Sequence, residues 1–291
     1  MADTWSMRLL YISLLRSEDA PLYHTCPACL AARLLAPPAW SCRSCRWAHL
    51  AAAEAVARTA TETTLRILKT SKPEVVILDG VEPLEQPGSL QLPQALHEAT
   101  ATRPALAAAT TGNTRPETIE EALTAAGYTT IIYDYTLHLE KPPRGIDNAI
   151  KALEAASRHA KTLEIILHWH PAKRGQEQVL ASLAHRHPHA ALHVTAPDEH
   201  AQQQAAKAVE KLRDRGHNVY LHPDEPGLYS DTHCPSCGAE LVTRKPWGTR
   251  LHLQPRGPHT PAKCPRCGTR LHLLACPPRR PLAAHREHTM W

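Results

Sequence analysis

Between Glu74 and Pro223 the sequence alternates short apolar runs with longer segments of helical spacing, and no other feature limits the fold as strongly. The runs are EVVILDG (74–80), ALAAATTG (105–112), TTIIYDYT (129–136), LEIILHWH (163–170), AALHVTAP (190–197) and HNVYLHP (217–223). Apolar almost without break, they suit strands buried on both faces, as in a parallel sheet. Helical patterns are expected at 49–69, 115–127, 146–160 and 199–216. RPETIEEALTAAG (115–127) starts with Pro and acids and stops at Gly, the usual helix boundary signals. The last two segments end in basic residues, which suits the helix dipole. ARLLAP (32–37) supplies one further strand before the first helix.

A repeated βα unit predicts a right-handed parallel α/β fold, as an open sheet or as a full or partial barrel. In either, function belongs at the C-terminal strand ends. Those ends carry Asp79-Gly80-Val81-Glu82-Pro83, Thr110-Thr111-Gly112-Asn113, Asp134, His168 and His170, and Pro197-Asp198.

After Tyr229 the periodicity stops. Cys234-Pro-Ser-Cys237-Gly and Cys264-Pro-Arg-Cys267-Gly form two matching knuckles. Four thiolates at this spacing suit tetrahedral zinc, and ELVTRK and TRLHLL read as the strands of a ribbon. A second set, Cys26-x2-Cys29-x12-Cys42-x2-Cys45, precedes the first long helix. Its four sulfurs suit either a closed zinc site or a [4Fe–4S] cluster, in which three ligands leave one iron open and four cap it. Of nine cysteines eight belong to such pairs, and Cys276 is expected to be a plain buried thiol. Cysteine usage of this kind points to metal in a reducing compartment rather than to disulfides.

Composition excludes more than it assigns. The net charge of +5 is too small to imply a nucleic-acid partner. From Leu241 onward, however, ten Lys and Arg face a single acid, Glu287, so RNA or a protein could dock on a basic C-terminal module. With 20 His and no Phe in the chain, most histidines are read as compositional, including the same-face pair His168 and His170. The N-terminal MADTWSMRLL lacks the pattern of a signal peptide, and no run reaches a membrane span, so a cytoplasmic protein without a membrane role is expected.

Several segments together resemble the radical S-adenosylmethionine superfamily, in particular AmmeMemoRadiSam-type proteins related to pyruvate formate-lyase activating enzymes. APLYHT (20–25) is similar to the lead into that family's first strand, and CRSCRW (42–47) to the end of its cluster loop. DGVEP (79–83) resembles its Gly-Gly-Glu-Pro region, TTGNTRPE (110–117) its Thr-Asn-Gly segment and IIYDYT (131–136) its Asp-Leu-Lys strand. LHVTAPD (192–198) resembles a late strand that carries a histidine. NVYLHPDEPGLYSDTHCPSCG (218–238) is similar to the last strand and the entry to a zinc ribbon.

The resemblance implies a partial TIM-like (β/α) barrel over 1–229, a zinc ribbon over 230–276 and a basic tail over 277–291. It implies a [4Fe–4S] cluster on the N-terminal cysteines and S-adenosylmethionine held by Gly80, Glu82, Pro83, Thr111, Gly112, Asp134 and His193. Such a site generates a 5′-deoxyadenosyl radical that takes hydrogen from a substrate, here unknown, with the cofactor supplying the hard chemistry. The pattern departs at four places. Pro38 stands where the first cluster cysteine is expected, Val81 replaces the second Gly, Thr111 replaces Asn and Thr136 replaces Lys. The alternative expectation is therefore a catalytically inactive relative with two closed four-Cys sites, acting by binding protein or RNA.

Overall fold

The computed structural model describes residues 5–50, 58–60, 62–100, 103–222, 229–245, 248–277 and 286–288. In chain order the elements are β1 (Met7–Leu9), β2 (Tyr11–Arg16), β3 (Leu30–Leu35), β4 (Arg58–Ala60), α1 (Glu62–Ser71), β5 (Val75–Asp79), α2 (Leu92–Ala99) and β6 (Ala105–Thr110). They continue with α3 (Pro116–Glu121), β7 (Thr130–Tyr135), α4 (Ile146–His159), β8 (Thr162–His168), α5 (Gln176–Arg186), β9 (Ala191–Thr195), α6 (Glu199–Arg213) and β10 (Val219–His222). Then come β11 (Thr232–His233), β12 (Glu240–Lys245), β13 (Gly248–Leu251), β14 (Pro261–Lys263), β15 (Arg270–Leu274) and β16 (Arg286–His288).

All six apolar runs and ARLLAP become strands of one sheet, ordered β10-β9-β8-β7-β6-β5-β3-β2-β16. From β3 to β10 every pairing is parallel and each new strand joins the same edge. Right-handed crossovers that always advance in one direction must place every helix on the same face. The packing agrees. Leu68, Leu92, Ile119, Leu153, Leu180 and Val209, one from each of α1 to α6, share one cluster with Leu34, Val76, Leu106, Ile131, Ile165 and Val194 of the sheet. The helices therefore cover one face of the sheet.

The opposite face needs another cover, because its residues are as apolar. Val75, Ile77, Ala107, Ile132 and Ile166 bury against Leu22, Cys26 and Cys29 of the β2–β3 connection and against Leu274 and Cys276 of the C-terminal module. The module docks through backbone pairing: Cys26 N donates to Leu274 O at 2.7 Å and Leu274 N to His24 O at 2.8 Å. Below the sheet a polar layer is fully satisfied, with Thr25 Oγ1 2.7 Å from Thr162 Oγ1 and 3.1 Å from Thr130 Oγ1. Among the described residues no helix is long and apolar enough to cross a membrane.

Three expectations are corrected. Arg58–Ala60, inside the Ala-rich stretch 49–69, form a strand antiparallel to β1, so the helix there is only α1; residues 51–57 lie outside the described part. Helices α2 and α5 have no counterpart among the expected ones: α2 is only 8 residues long, and α5 has a weak apolar stripe. Part of the basic tail is β16, an edge strand antiparallel to β2.

Candidate functional site

The C-terminal module builds its site from two knuckles of the same geometry. Cys234 N donates to Ala239 O at 2.8 Å and Gly238 N to Cys234 O at 2.9 Å; Cys264 N donates to Thr269 O and Gly268 N to Cys264 O, both at 2.9 Å. Gly238 and Gly268 sit at φ 69° and 75°, the left-handed turn that lets each chain double back around its sulfurs. Cys234 and Cys267 Sγ lie 3.7 Å apart, as do Cys237 and Cys264 Sγ. All four sulfurs fall within 4.8 Å of one another. Four sulfurs at about 2.3 Å from a tetrahedral ion stand about 3.8 Å apart, the separation already held by the two 3.7 Å pairs. Cys267 Sγ is also 3.2 Å from Thr269 Oγ1, a contact that lowers its thiol to about 6. Among the described residues this is the one group of Cys, His, Asp or Glu side chains close enough to hold a metal.

The N-terminal cysteines do not converge. Cys26 and Cys29 precede β3 and bury beneath the sheet, where Cys26 is disulfide-bonded to Cys276. Cys276 is therefore not the plain thiol expected. Cys42 and Cys45 lie past the other end of β3, packed with Val81 between Trp40 and Trp47. Six strand residues span about 20 Å, far beyond the reach of one metal ion or cluster. The CRSC turn is itself closed by protein groups. Cys45 N donates to Cys42 Sγ at 3.1 Å, while Arg43 N and Ser44 N donate to Glu140 Oε1 at 3.1 and 2.9 Å. Cys42 donates its S–H to the same carboxylate oxygen at 3.0 Å. The interaction with Cys45, burial and Glu140 together push the Cys42 thiol upward. These residues do not fit a three-thiolate cluster loop.

Glu82 is fully buried and already saturated. Its carboxylate accepts from Thr110 Oγ1 at 2.7 Å, Thr111 N at 2.8 Å, Asn113 N at 3.0 Å and Thr114 N at 2.9 Å, and from the hydroxyls of Thr111 and Thr114. Six donors exceed the roughly four lone-pair directions a carboxylate offers. Glu82 thus ties the loop after β5 to the loop after β6, with Pro83 opening a short turn behind it. Gly80 and Gly112 are required by close approach: a Cβ would stand 2.6 Å from Ala36 O and 2.1 Å from Tyr133 Oη. The Glu82 carboxylate therefore keeps no lone pair for a ligand.

Asp134 and His193 do face the C-terminal mouth of the sheet, but with partners. Asp134 Oδ1 binds His168 Nε2 at 2.7 Å, and His168 Nδ1 meets Thr195 Oγ1 at 2.8 Å. Burial is the largest single influence on both groups, but their charge attraction and hydrogen bond together, with Arg46 acting on Asp134, overcome it, raising His168 and lowering Asp134. His168 therefore has a specific partner that residue composition concealed. His193 Nε2 lies 2.8 Å from Glu164 Oε2, and burial drives its ring down to about 3.

Asp79, Arg33, Arg46 and Trp47 complete the mouth and were not singled out from sequence. The buried Asp79 carboxylate holds Arg46 Nη2 at 2.6 Å, Trp47 Nε1 at 2.8 Å and Arg33 Nε at 3.3 Å. The position of Asp79 at a strand end was the available signal. Arg46 and Trp47 were hidden inside a motif read only for its cysteines. The cavity they border, about 250 Å³, is lined also by Asp19, Pro21, Ile166, His168, His193, Thr195 and His222. No protein-family model and no curated protein matches this chain.

Proposed function

We infer that this chain is a zinc-stabilised, barrel-type α/β protein that works by binding and carries no radical chemistry. The single observation that supports this reading is the separation of Cys26 and Cys29 from Cys42 and Cys45 by the length of β3. An open iron needs three converging thiolates, and Pro38 leaves the upper pair without a third. The closed use of Glu82 and the capping of the CRSC turn by Glu140 point the same way. The resemblance to radical S-adenosylmethionine proteins then concerns the order of elements, a partial (β/α) barrel followed by a zinc ribbon, rather than the activity.

At the ribbon, Cys234, Cys237, Cys264 and Cys267 would hold one zinc ion. Closed four-thiolate zinc has no open position, so it contributes folding energy and cross-links the two knuckles. The test is elemental analysis of protein purified without oxygen, followed by reduction and incubation with S-adenosylmethionine. One zinc per chain, no iron or sulfide and no 5′-deoxyadenosine are expected. Four irons per chain with 5′-deoxyadenosine released would overturn the reading in favour of the radical enzyme.

A further inference from the structure

The cavity at the C-terminal strand ends has polar groups that the protein itself leaves unused. His193 is fully buried, and its Nε2 is committed to Glu164. Glu164 Oε1 also accepts from His24 N at 2.9 Å and Thr25 Oγ1 at 3.2 Å, so both carboxylate oxygens are engaged within the protein. His193 Nδ1 has no partner among the described residues. His222 Nε2, beside it in the cavity lining with ring centroids 4.9 Å apart, has none either. Two buried imidazole nitrogens without partners are costly unless a ligand meets them.

Charge gives the second half of the argument. Arg33 and Arg46 share one carboxylate, Asp79, at 3.3 and 2.6 Å. On the cavity wall His168 pairs with Asp134 behind it at 2.7 Å, and Asp19 with Arg16 at 3.0 Å. Two guanidinium groups of this lining thus share a single carboxylate, Asp79. Trp47 packs against both guanidinium groups, with its centroid 5.5 Å from Arg33 Cζ and 5.2 Å from Arg46 Cζ. Such forks bind carboxylate and phosphate well.

Volume limits the ligand. The cavity of about 250 Å³ equals the liquid volume of about eight waters, which admits a metabolite of roughly six to ten non-hydrogen atoms. We propose that this cavity binds a small carboxylate bearing a hydroxyl or amino donor. The carboxylate meets Arg33 and Arg46, and the donor meets the free nitrogens of His193 and His222. The site is independent of the metal reading above.

The test titrates the zinc-loaded full chain by calorimetry with both enantiomers of lactate, L-serine, pyruvate and inorganic phosphate. One lactate enantiomer or serine is expected to bind, with pyruvate, the same size but lacking the donor, about tenfold weaker for the loss of one hydrogen bond. Arg33→Met removes one guanidinium fork and His222→Phe removes the unpartnered Nε2 while keeping a planar ring; each is expected to lower affinity at least about tenfold. Zinc content and circular dichroism report whether the variants are folded. No binding of lactate or serine at about 10 mM, or pyruvate or phosphate binding as tightly as they do, overturns the proposal. So does unchanged affinity in both folded variants. The comparison among ligands needs no variant at all.

Discussion

The guanidinium of Arg244, on β12 of the C-terminal module, stands 3.9 Å above the ring of Tyr23 beneath the main sheet. It is 1% exposed and donates to Tyr23 O at 2.9 Å, Ser230 O at 2.7 Å and Thr232 Oγ1 at 2.9 Å. Tyr23 in turn packs edge-on against His193 at 5.0 Å between centroids. One side chain thus links the metal module to the base of the ligand cavity. Arg244→Met keeps the apolar stem but removes every one of these bonds, and is expected to cost about 2–4 kcal/mol in urea unfolding. Zinc content should be unchanged, because the thiolates lie elsewhere.

The metal site should support more than its own module. Cys264→Ser removes one of four ligands, and bound zinc is expected to fall from one per chain to near zero. Since Leu274 and Arg244 anchor beneath the sheet, the melting temperature of the whole chain should fall with it, read by circular dichroism with and without added zinc. A lower zinc content with unchanged melting would show that the two parts fold independently.

Glu82 offers a sharp test of the closed loop. Glu82→Gln keeps size and shape but turns one acceptor oxygen into a donor that faces the N–H and hydroxyl donors of residues 110–114. The expected loss is about 3 kcal/mol or more of stability, since a buried array loses several charge-assisted bonds at once. If Glu82 instead served a free ligand, stability would hold and only binding would fall.

Acidification should destabilise the fold. Burial lowers His24 to about 4, His193 to about 3, and His222 well below its ordinary value. An unfolded chain protonates these rings below about 6.5 while the folded chain does not, so stability is full above that pH and lost as pH falls toward 4. Glu164, raised to about 6 by burial, acts in the opposite sense between about 6 and 4.5. The His168–Asp134 pair likewise favours moderately acidic conditions, since His168 is raised and its contribution is lost as pH rises through that value. Three rings outweigh these, and urea midpoints should drop between pH 7.5 and 5 by the equivalent of a few kcal/mol.

Much of the architecture was legible because parallel strands buried on both faces have to be written as unbroken apolar runs. EVVILDG, TTIIYDYT and LEIILHWH announce themselves in this way, and each became a strand within two residues of its expected bounds. Helices α2 and α5 did not, because α2 spans only about two turns and α5, at about three, carries a faint apolar stripe on a chain rich in Ala. Arg58–Ala60 read as helix from its alanines, and pairing with Met7–Leu9 overrode that preference.

The metal knuckles separate what local sequence can fix from what it cannot. Cys234, Cys237, Cys264 and Cys267 were determined by sequence alone, because a C-x-x-C-G turn is a local structure and two of them need only a short ribbon to meet. Cys26, Cys29, Cys42 and Cys45 follow the same spacing rule, yet a strand of six residues runs between the pairs and carries them to opposite ends of the sheet. Tertiary structure alone also decided the mouth, where Arg33, Asp79, His168, His193 and His222 come from five different strands. Spacing in the chain governs contacts within a turn; contacts between strand ends depend on sheet order and register, which single-residue patterns do not encode.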